Sequence, residues 1–242
     1  MNPIFEHRFA ITENLVDRYG RAKPSALLYM IQQAAGAHCR LLAVDTPTLD
    51  AKHLFWAVSR CRVQISRLPR LDEQVRVTTW PMPTTKVAYP RSVVAYDGEG
   101  NELFRAISLW VLMDSRSRAM VLPGKSGILV DGTLTGAELA VPHAIATREL
   151  ESTKVKTVGY SLLDRNGHMN NTRYMDWVED LLPSAFHENH PVKEFTLCYL
   201  NEVLENDEIA LSYQLEDGVL TVDARQNVHP EKTRVFTAQV LF

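Results

Sequence analysis

The chain has 242 residues, 45% of them hydrophobic and 23% charged, and a formal net charge of −3. This length suits two units of roughly 100 to 120 residues, each able to bury its own core. The balance of charge is that of an ordinary soluble domain and lacks the basic excess of a nucleic-acid binder. The three cysteines, Cys39, Cys61 and Cys198, lie far apart without a CxxC pair, which speaks against a zinc site or a disulfide framework and for reduced thiols. The N-terminus carries no secretory signal, and no apolar run reaches the ~18 residues of a spanning helix. A cytoplasmic protein with no membrane span and no nucleic-acid partner is expected.

In chain order, a first strand precedes the loop Asp17-Arg18-Tyr19-Gly20-Arg21-Ala22. Pro24 then suits the first turn of a helix. Leu27, Ile31, Ala34, Ala35, His38 and Leu42 fall on one stripe of that helix. Four strands follow, over Phe55 to Ile65, Gln74 to Trp80, Ala88 to Tyr96 and Leu103 to Met113. Asp97-Gly98-Glu99-Gly100 forms the hairpin turn between the last two. Residues 123–150, rich in Gly, Pro, Thr and Ala without periodicity, read as a linker between an N-terminal unit, 1–122, and a C-terminal unit, 151–242.

The second unit repeats the first. Asp164-Arg165-Asn166-Gly167-His168-Met169 keeps the Asp, Arg and Gly of the earlier loop. Tyr174, Trp177, Val178 and Leu181 make a second helical stripe that ends near Pro183, and Asn170 and Asn171 read as its caps. Strands are expected over Glu194 to Tyr199, Glu208 to Leu215, Val219 to Gln226 and Thr233 to Leu241. The segments Asp72-Glu73-Gln74-Val75 and Asn206-Asp207-Glu208-Ile209 also align, at similar distances from each helix. Each half is therefore a helix packed on one face of an antiparallel sheet, an α+β layer written twice.

The copies differ where chemistry would sit. Asn166 and His168 of the second loop are Tyr19 and Arg21 in the first. In an extended loop, Asp164, Asn166 and His168 point to one side. An imidazole shares protons near neutrality and an amide orients a water. Backbone N–H groups at the start of the second helix would add an oxyanion site. Such a D-x-N-x-H set would be one active site beside one structural copy.

The stretch Asp164-Arg165-Asn166-Gly167-His168-Met169-Asn170-Asn171-Thr172-Arg173-Tyr174-Met175-Asp176-Trp177 resembles the signature of the acyl-acyl carrier protein thioesterases, the plant plastid enzymes and their bacterial relatives. Trp56-Ala57-Val58-Ser59-Arg60, Thr78-Thr79-Trp80-Pro81 and Ser108-Leu109-Trp110-Val111-Leu112-Met113-Asp114, with Arg118 and Leu122-Pro123, resemble the family's first half in the right order. The resemblance spans nearly the whole chain. It implies a tandem double hotdog, each unit a long helix on an antiparallel sheet, with one active site in the second unit. It implies hydrolysis of fatty-acyl-acyl carrier protein to free fatty acid, with no metal and no organic cofactor.

The same resemblance assigns Asp164, Asn166 and His168 as catalytic and, through Tyr199-Leu200-Asn201-Glu202-Val203, makes Glu202 the second catalytic carboxylate. Local sequence gives Glu202 no special standing, because it lies in an acidic run. Val203 stands where many relatives carry Cys, which argues against a thiol nucleophile. The acyl chain is expected in the first unit, with Leu27, Met30, Ile31, Trp56 and Val58 as lining candidates. Two mechanisms follow: Glu202 as general base on water, or Asp164 as a nucleophile forming an anhydride. Alternatives on the same fold are an acyl-coenzyme A thioesterase and a non-catalytic acyl-binding protein. The sequence leaves a homodimer open.

Overall fold

The computed structural model describes residues 3–146, 149–227 and 233–242. The chain forms two compact units, Met1–Pro142 and His143–Phe242. Residues 147 and 148, within the expected linker, lie outside the described residues.

In the first unit, β1 (Phe5–Ala10), β2 (Leu54–Ile65), β3 (Gln74–Pro81), β4 (Tyr89–Tyr96) and β5 (Glu102–Asp114) form an antiparallel sheet in the order β1-β3-β4-β5-β2. The two-residue β6 (Met120–Val121) adds to β5. Helix α1 (Pro24–Leu41) starts at its proline, whose missing N–H costs nothing at that position. Its stripe, Leu27, Met30, Ile31, Ala34, Ala35 and His38, is buried. Phe5 of β1 stacks on His38 at 5.4 Å, and Phe9 meets Tyr29 edge-on at 6.3 Å, so the helix lies across the β1 side of the sheet. A short helix, α2 (Thr46–Asp50), buries Leu49 in a second cluster with Val44, Leu54, Tyr89, Leu112 and Ile128.

The segment after β6 packs on this sheet. Helix α3 (Pro123–Ser126) ends at Gly127 in the left-handed region, φ 66°. Beyond it, Glu138 accepts from Trp80 Nε1 at 2.9 Å, and the carbonyls of Ala137 and Pro142 accept from Arg105 and Arg60. Gly132 lies so close to Met82 that a Cβ would fall 2.1 Å from its carbonyl carbon, so this contact requires glycine. The compositionally featureless stretch is thus bound through residue 142 to the first unit by side-chain and backbone hydrogen bonds, which periodicity does not register.

In the second unit, β7 (Ser152–Thr157), β8 (Glu194–Tyr199), β9 (Glu208–Glu216), β10 (Val219–Gln226) and β11 (Arg234–Leu241) follow the order β8-β11-β10-β9-β7. The helix here is shorter than the expected partner of α1. Helix α4 (Arg173–Glu179) has seven residues, and after Leu182 and Pro183 a separate α5 (Ser184–Asn189) begins. After Glu179 the chain tightens, with the N–H groups of Leu181 and Leu182 bonding the carbonyls of Val178 and Glu179 three residues back, and Pro183 beyond them cannot donate to continue the helix. Tyr174 anchors α4 to the sheet, its ring edge-on to Tyr199 at 5.3 Å and to Phe236 at 5.0 Å.

Candidate active site

The site begins with a backbone turn that occurs in both units. In the second, Asp164 Oδ1 accepts the N–H groups of Asn166 at 2.7 Å and His168 at 3.3 Å. In the first, Asp17 Oδ1 accepts those of Tyr19 at 2.8 Å and Arg21 at 3.0 Å. Gly20 and Gly167 close the turns with φ of 71° and 77°, a conformation that costs glycine little. The turns are tied down identically. The Ala22 N–H reaches the Pro69 carbonyl as that of Met169 reaches Val203, and Lys23 pairs with Leu15 as Asn170 pairs with Leu162. Asp72 and Asn206, φ 64° and 67°, occupy matching corners of the opposing loop.

This shared frame places residues in pairs: Asp17 with Asp164, Tyr19 with Asn166, Arg21 with His168 and, counting back from Pro69 and Val203, Leu68 with Glu202. In the first unit Arg21 turns back to bond Asp17 Oδ2 at 3.0 Å, with its guanidinium over the Tyr19 ring, and Leu68 is buried. In the second, the imidazole Nε2 of His168 stands 3.5 Å from Glu202 Oε2. The bridge between His168 and Leu204 brings these two segments side by side. Glu202 therefore owes its place beside the imidazole to tertiary pairing, not to its acidic run.

The other assigned residues are arranged unequally. Asp164 directs one oxygen into the turn. Asn166 is exposed on the same loop. Tyr174 is buried, and its phenol is pushed up by burial and further by the charges of Asp164, Glu202 and Asp207. Tyr199, three residues before Glu202, donates its hydroxyl to the Asn171 carbonyl at 2.9 Å. The sequence put Tyr174 on the helical stripe and Tyr199 at the head of the motif that leads to Glu202, without giving either a role at the site. The signal available was the repeat itself, since the frame pairs Tyr174 with Leu27 and Tyr199 with Ile65.

Two expectations are corrected. Neither asparagine is the N-cap of α4, which is Thr172 without a side-chain cap bond: Asn170 Oδ1 accepts the Thr172 N–H at 3.0 Å and hydroxyl at 2.8 Å ahead of the helix, and Asn171 Oδ1 has no partner among the described residues. The start of α4 is also not a ready oxyanion site. The N–H groups of Thr172, Arg173 and Met175 are taken by Asn170 Oδ1, the Asn170 carbonyl and the Thr172 carbonyl. A seven-residue helix adds little dipole to what remains.

Cys198 lies in the core, its thiol 3.9 Å from the His143 carbonyl, and Val203 is fully buried. Burial pushes the Cys61 thiol up to about 12 and raises that of Cys39. Of the lining candidates, Leu27, Met30 and Ile31 are buried on α1, and Trp56 and Val58 are half-buried on β2. Trp56 donates Nε1 to the Val44 carbonyl at 2.8 Å and meets Tyr89 edge-on at 4.9 Å. Among the described residues no cluster of His, Cys, Asp and Glu could hold a metal ion, and no helix is long and apolar enough to cross a membrane.

Two units built on one frame, with the His168–Glu202 pair where the first has Arg21 and Leu68, define a duplicated α+β protein with one candidate site of this kind among the described residues. Comparison with known proteins gives the family. Residues 2–122 match the acyl-ACP thioesterase N-terminal domain and residues 145–235 the acyl-ACP thioesterase C-terminal domain, so the chain belongs to the acyl-ACP thioesterase family. It is 27% identical to a chloroplastic palmitoyl-acyl carrier protein thioesterase of Gossypium hirsutum, over 82% of this chain and 52% of the relative. It is 25% identical to the dodecanoyl-[acyl-carrier-protein] hydrolase of Umbellularia californica, over 82% and 56%. The chain thus spans about half the length of the curated relatives it matches. Among solved structures, an acyl-ACP thioesterase from Bacteroides thetaiotaomicron aligns with a TM-score of 0.85 at 23% identity, covering 100% of this chain and 98% of that one. The 12:0-ACP thioesterase of Umbellularia californica aligns at 0.83 and 22%, covering 100% and 97%. The fold is the tandem hotdog of these proteins.

Proposed function

We propose that this protein hydrolyses fatty-acyl thioesters of acyl carrier protein, releasing free fatty acid. The observation that carries the reading is the His168–Glu202 pair, drawn together at 3.5 Å in the unit whose twin carries Arg21 and Leu68. Membership of the acyl-ACP thioesterase family supports the carrier.

Glu202, 43% exposed at its side chain, meets both solvent and the imidazole and is suited to take a proton from water. The hydroxide that forms attacks the thioester carbonyl carbon, and the pair of electrons moves to the carbonyl oxygen. The Asn166 amide and the His168 imidazole, when it carries its Nε2 proton, are the donors for that oxyanion. Collapse breaks the carbon–sulfur bond, and the proton held on Glu202 passes to the leaving thiolate, directly or through His168. Asp164 fixes the loop that holds Asn166 and His168. Asp17 holds the same turn in a unit without the His–Glu pair, which favours this positioning role over a nucleophilic one. The acyl chain is assigned to the first unit, with Leu27, Met30, Ile31, Trp56 and Val58 as its lining.

The test is hydrolysis of acyl carrier protein and coenzyme A thioesters matched in chain length. Faster turnover of the carrier-protein substrate is expected. Equal or faster turnover of coenzyme A thioesters would reassign the carrier, and no hydrolysis of either would reject the enzyme reading.

A further inference from the structure

The frame shared by the two units extends past the residues already paired. The N–H groups of Ser66 and Arg67 share the Leu103 carbonyl as those of Leu200 and Asn201 share that of Val235. At the next corner the Arg70 N–H bonds a Glu73 carboxylate oxygen at 2.7 Å, and the Leu204 N–H bonds an Asp207 carboxylate oxygen at 2.9 Å. Arg70 bridges to Arg21, and Leu204 bridges to His168. Leu204 is therefore the counterpart of an exposed arginine in a corner of the same build. Since that corner takes a charged residue in the first unit, nothing about the turn itself calls for a leucine in the second.

A second observation concerns where this side chain stands. Leu204 is 50% exposed, so it is no part of the core. Burial alternates along its segment: Glu202 is exposed, Val203 is fully buried and Leu204 is exposed again. On the facing segment Met169 is buried, and His168 turns the other way to reach Glu202 at 3.5 Å. Glu202, His168 and Leu204 thus share one outward face. Partners directly opposite in an antiparallel bridge have their Cβ atoms about 4.5–5.5 Å apart. Single exposed leucines are ordinary on a protein surface. This one is set beside the imidazole of the proposed site, where the first unit sets Arg70 beside Arg21.

We infer that Leu204 is a substrate-binding residue whose side chain covers the first methylenes of the acyl chain, next to the thioester carbonyl. This rests on the thioesterase reading above. With the carbonyl carbon over His168 and Glu202, the carbons that follow it fall within reach of a side chain one cross-strand step away. On the sulfur side, the carrier's arm offers two methylenes and then an amide, which favours water. On the other side the chain is hydrocarbon throughout. A half-exposed leucine gains most by covering that uninterrupted apolar surface. The contact orients the acyl group toward the imidazole and Glu202, and Leu204 itself moves no proton and forms no bond to the substrate.

The experiment measures kcat/KM for acetyl and butyryl thioesters, carried on N-acetylcysteamine and on acyl carrier protein. Each methylene covered is worth about fourfold, so wild type should prefer butyryl to acetyl by about tenfold. Leu204→Ser should bring the two chains to within about twofold of each other, with near-native circular dichroism because the position is exposed. Leu204→Met, which keeps an apolar side chain of similar volume, should retain most of the preference. Equal loss on acetyl and butyryl thioesters in Leu204→Ser would assign the residue to the arm or to the carrier and overturn the inference. Full preference retained in Leu204→Ser, or no preference in wild type, would overturn it as well. Long-chain acyl-acyl carrier protein is assayed in parallel with wild type, so absence of any hydrolysis is recognised as failure of the thioesterase reading itself.

Discussion

Asp17 and Asp164, one in each unit, accept the N–H groups of the second and fourth residues after them through the same oxygen. The loop that carries the proposed chemistry is therefore a structural turn first. Its function lies in the residues the turn presents.

The pairing makes a prediction about Asp164. Asp164→Asn keeps an Oδ1 acceptor, so the turn should survive and turnover should fall less than about tenfold. A nucleophilic carboxylate would not tolerate this change, and a loss above a thousandfold would restore the anhydride mechanism. Asp17→Ala removes the side-chain acceptor of both backbone N–H groups and the Arg21 ion pair. It should cost about 1–3 kcal/mol in stability, read by denaturant unfolding, with kcat/KM unchanged once folded.

Substitutions at the site should separate the units. Glu202→Gln and His168→Ala should each cut turnover by about a hundredfold or more, with near-native circular dichroism. Arg21→Ala and Glu205→Gln should behave close to wild type. Equal activity of Glu202→Gln and wild type would remove the general base proposed here.

Thiol chemistry should be dispensable. Burial holds the Cys61 thiol up near 12 and raises Cys39, so neither supplies thiolate at neutral pH. A folded triple variant with Cys39, Cys61 and Cys198 changed to Ala or Ser should hydrolyse its substrate. Inactivity of a well-folded Cys198 variant would reopen a cysteine mechanism.

The first unit should set product length. Leu27 and Met30 are fully buried on α1. Met30→Phe or Leu27→Trp adds volume to a packed interior at a cost of about 1–3 kcal/mol. If these positions bound the chain, products shift toward shorter acids, measured by chromatography of the released acids at constant acyl-carrier-protein input. An unchanged profile across both would place the chain elsewhere.

Acid stability should report on the first unit. Burial, and after it the charge of Arg91, lowers the His38 imidazole to about 4, and Arg91 donates to its Nδ1 at 3.1 Å. The unfolded chain takes up that proton near 6.5, whereas the folded protein resists until about 4. Above 6.5 both states are neutral and nothing is lost. Between 6.5 and 4 the unfolded state binds more protons, so stability falls as pH falls, by an amount on the order of 1–3 kcal/mol. His38→Gln should flatten this part of the stability curve, measured by urea unfolding at successive pH values. A curve of unchanged slope would assign the loss to carboxylates.

Much of this architecture is local in origin. The stripe of α1, the alternation within the strands and the turn residues at Gly20 and Gly167 are written in neighbouring positions, because helix and strand periodicity are short-range properties. The repeat was legible for the same reason: the copies share an Asp and a Gly at fixed spacing, and those two residues make the turn. The loss of Asn and His from the first copy could be read from the letters alone. The position of Glu202 beside His168, the partnering of Leu68 with Glu202, the early end of α4 and the attachment of residues 123–142 to the first sheet could not. Each depends on strands and loops distant in sequence being paired, and a pairing register is fixed by the whole sheet, not by the segment that ends up in the site. The same holds for Asn171, a cap by its sequence context, whose Oδ1 is buried without a partner among the described residues while its carbonyl accepts from Tyr199.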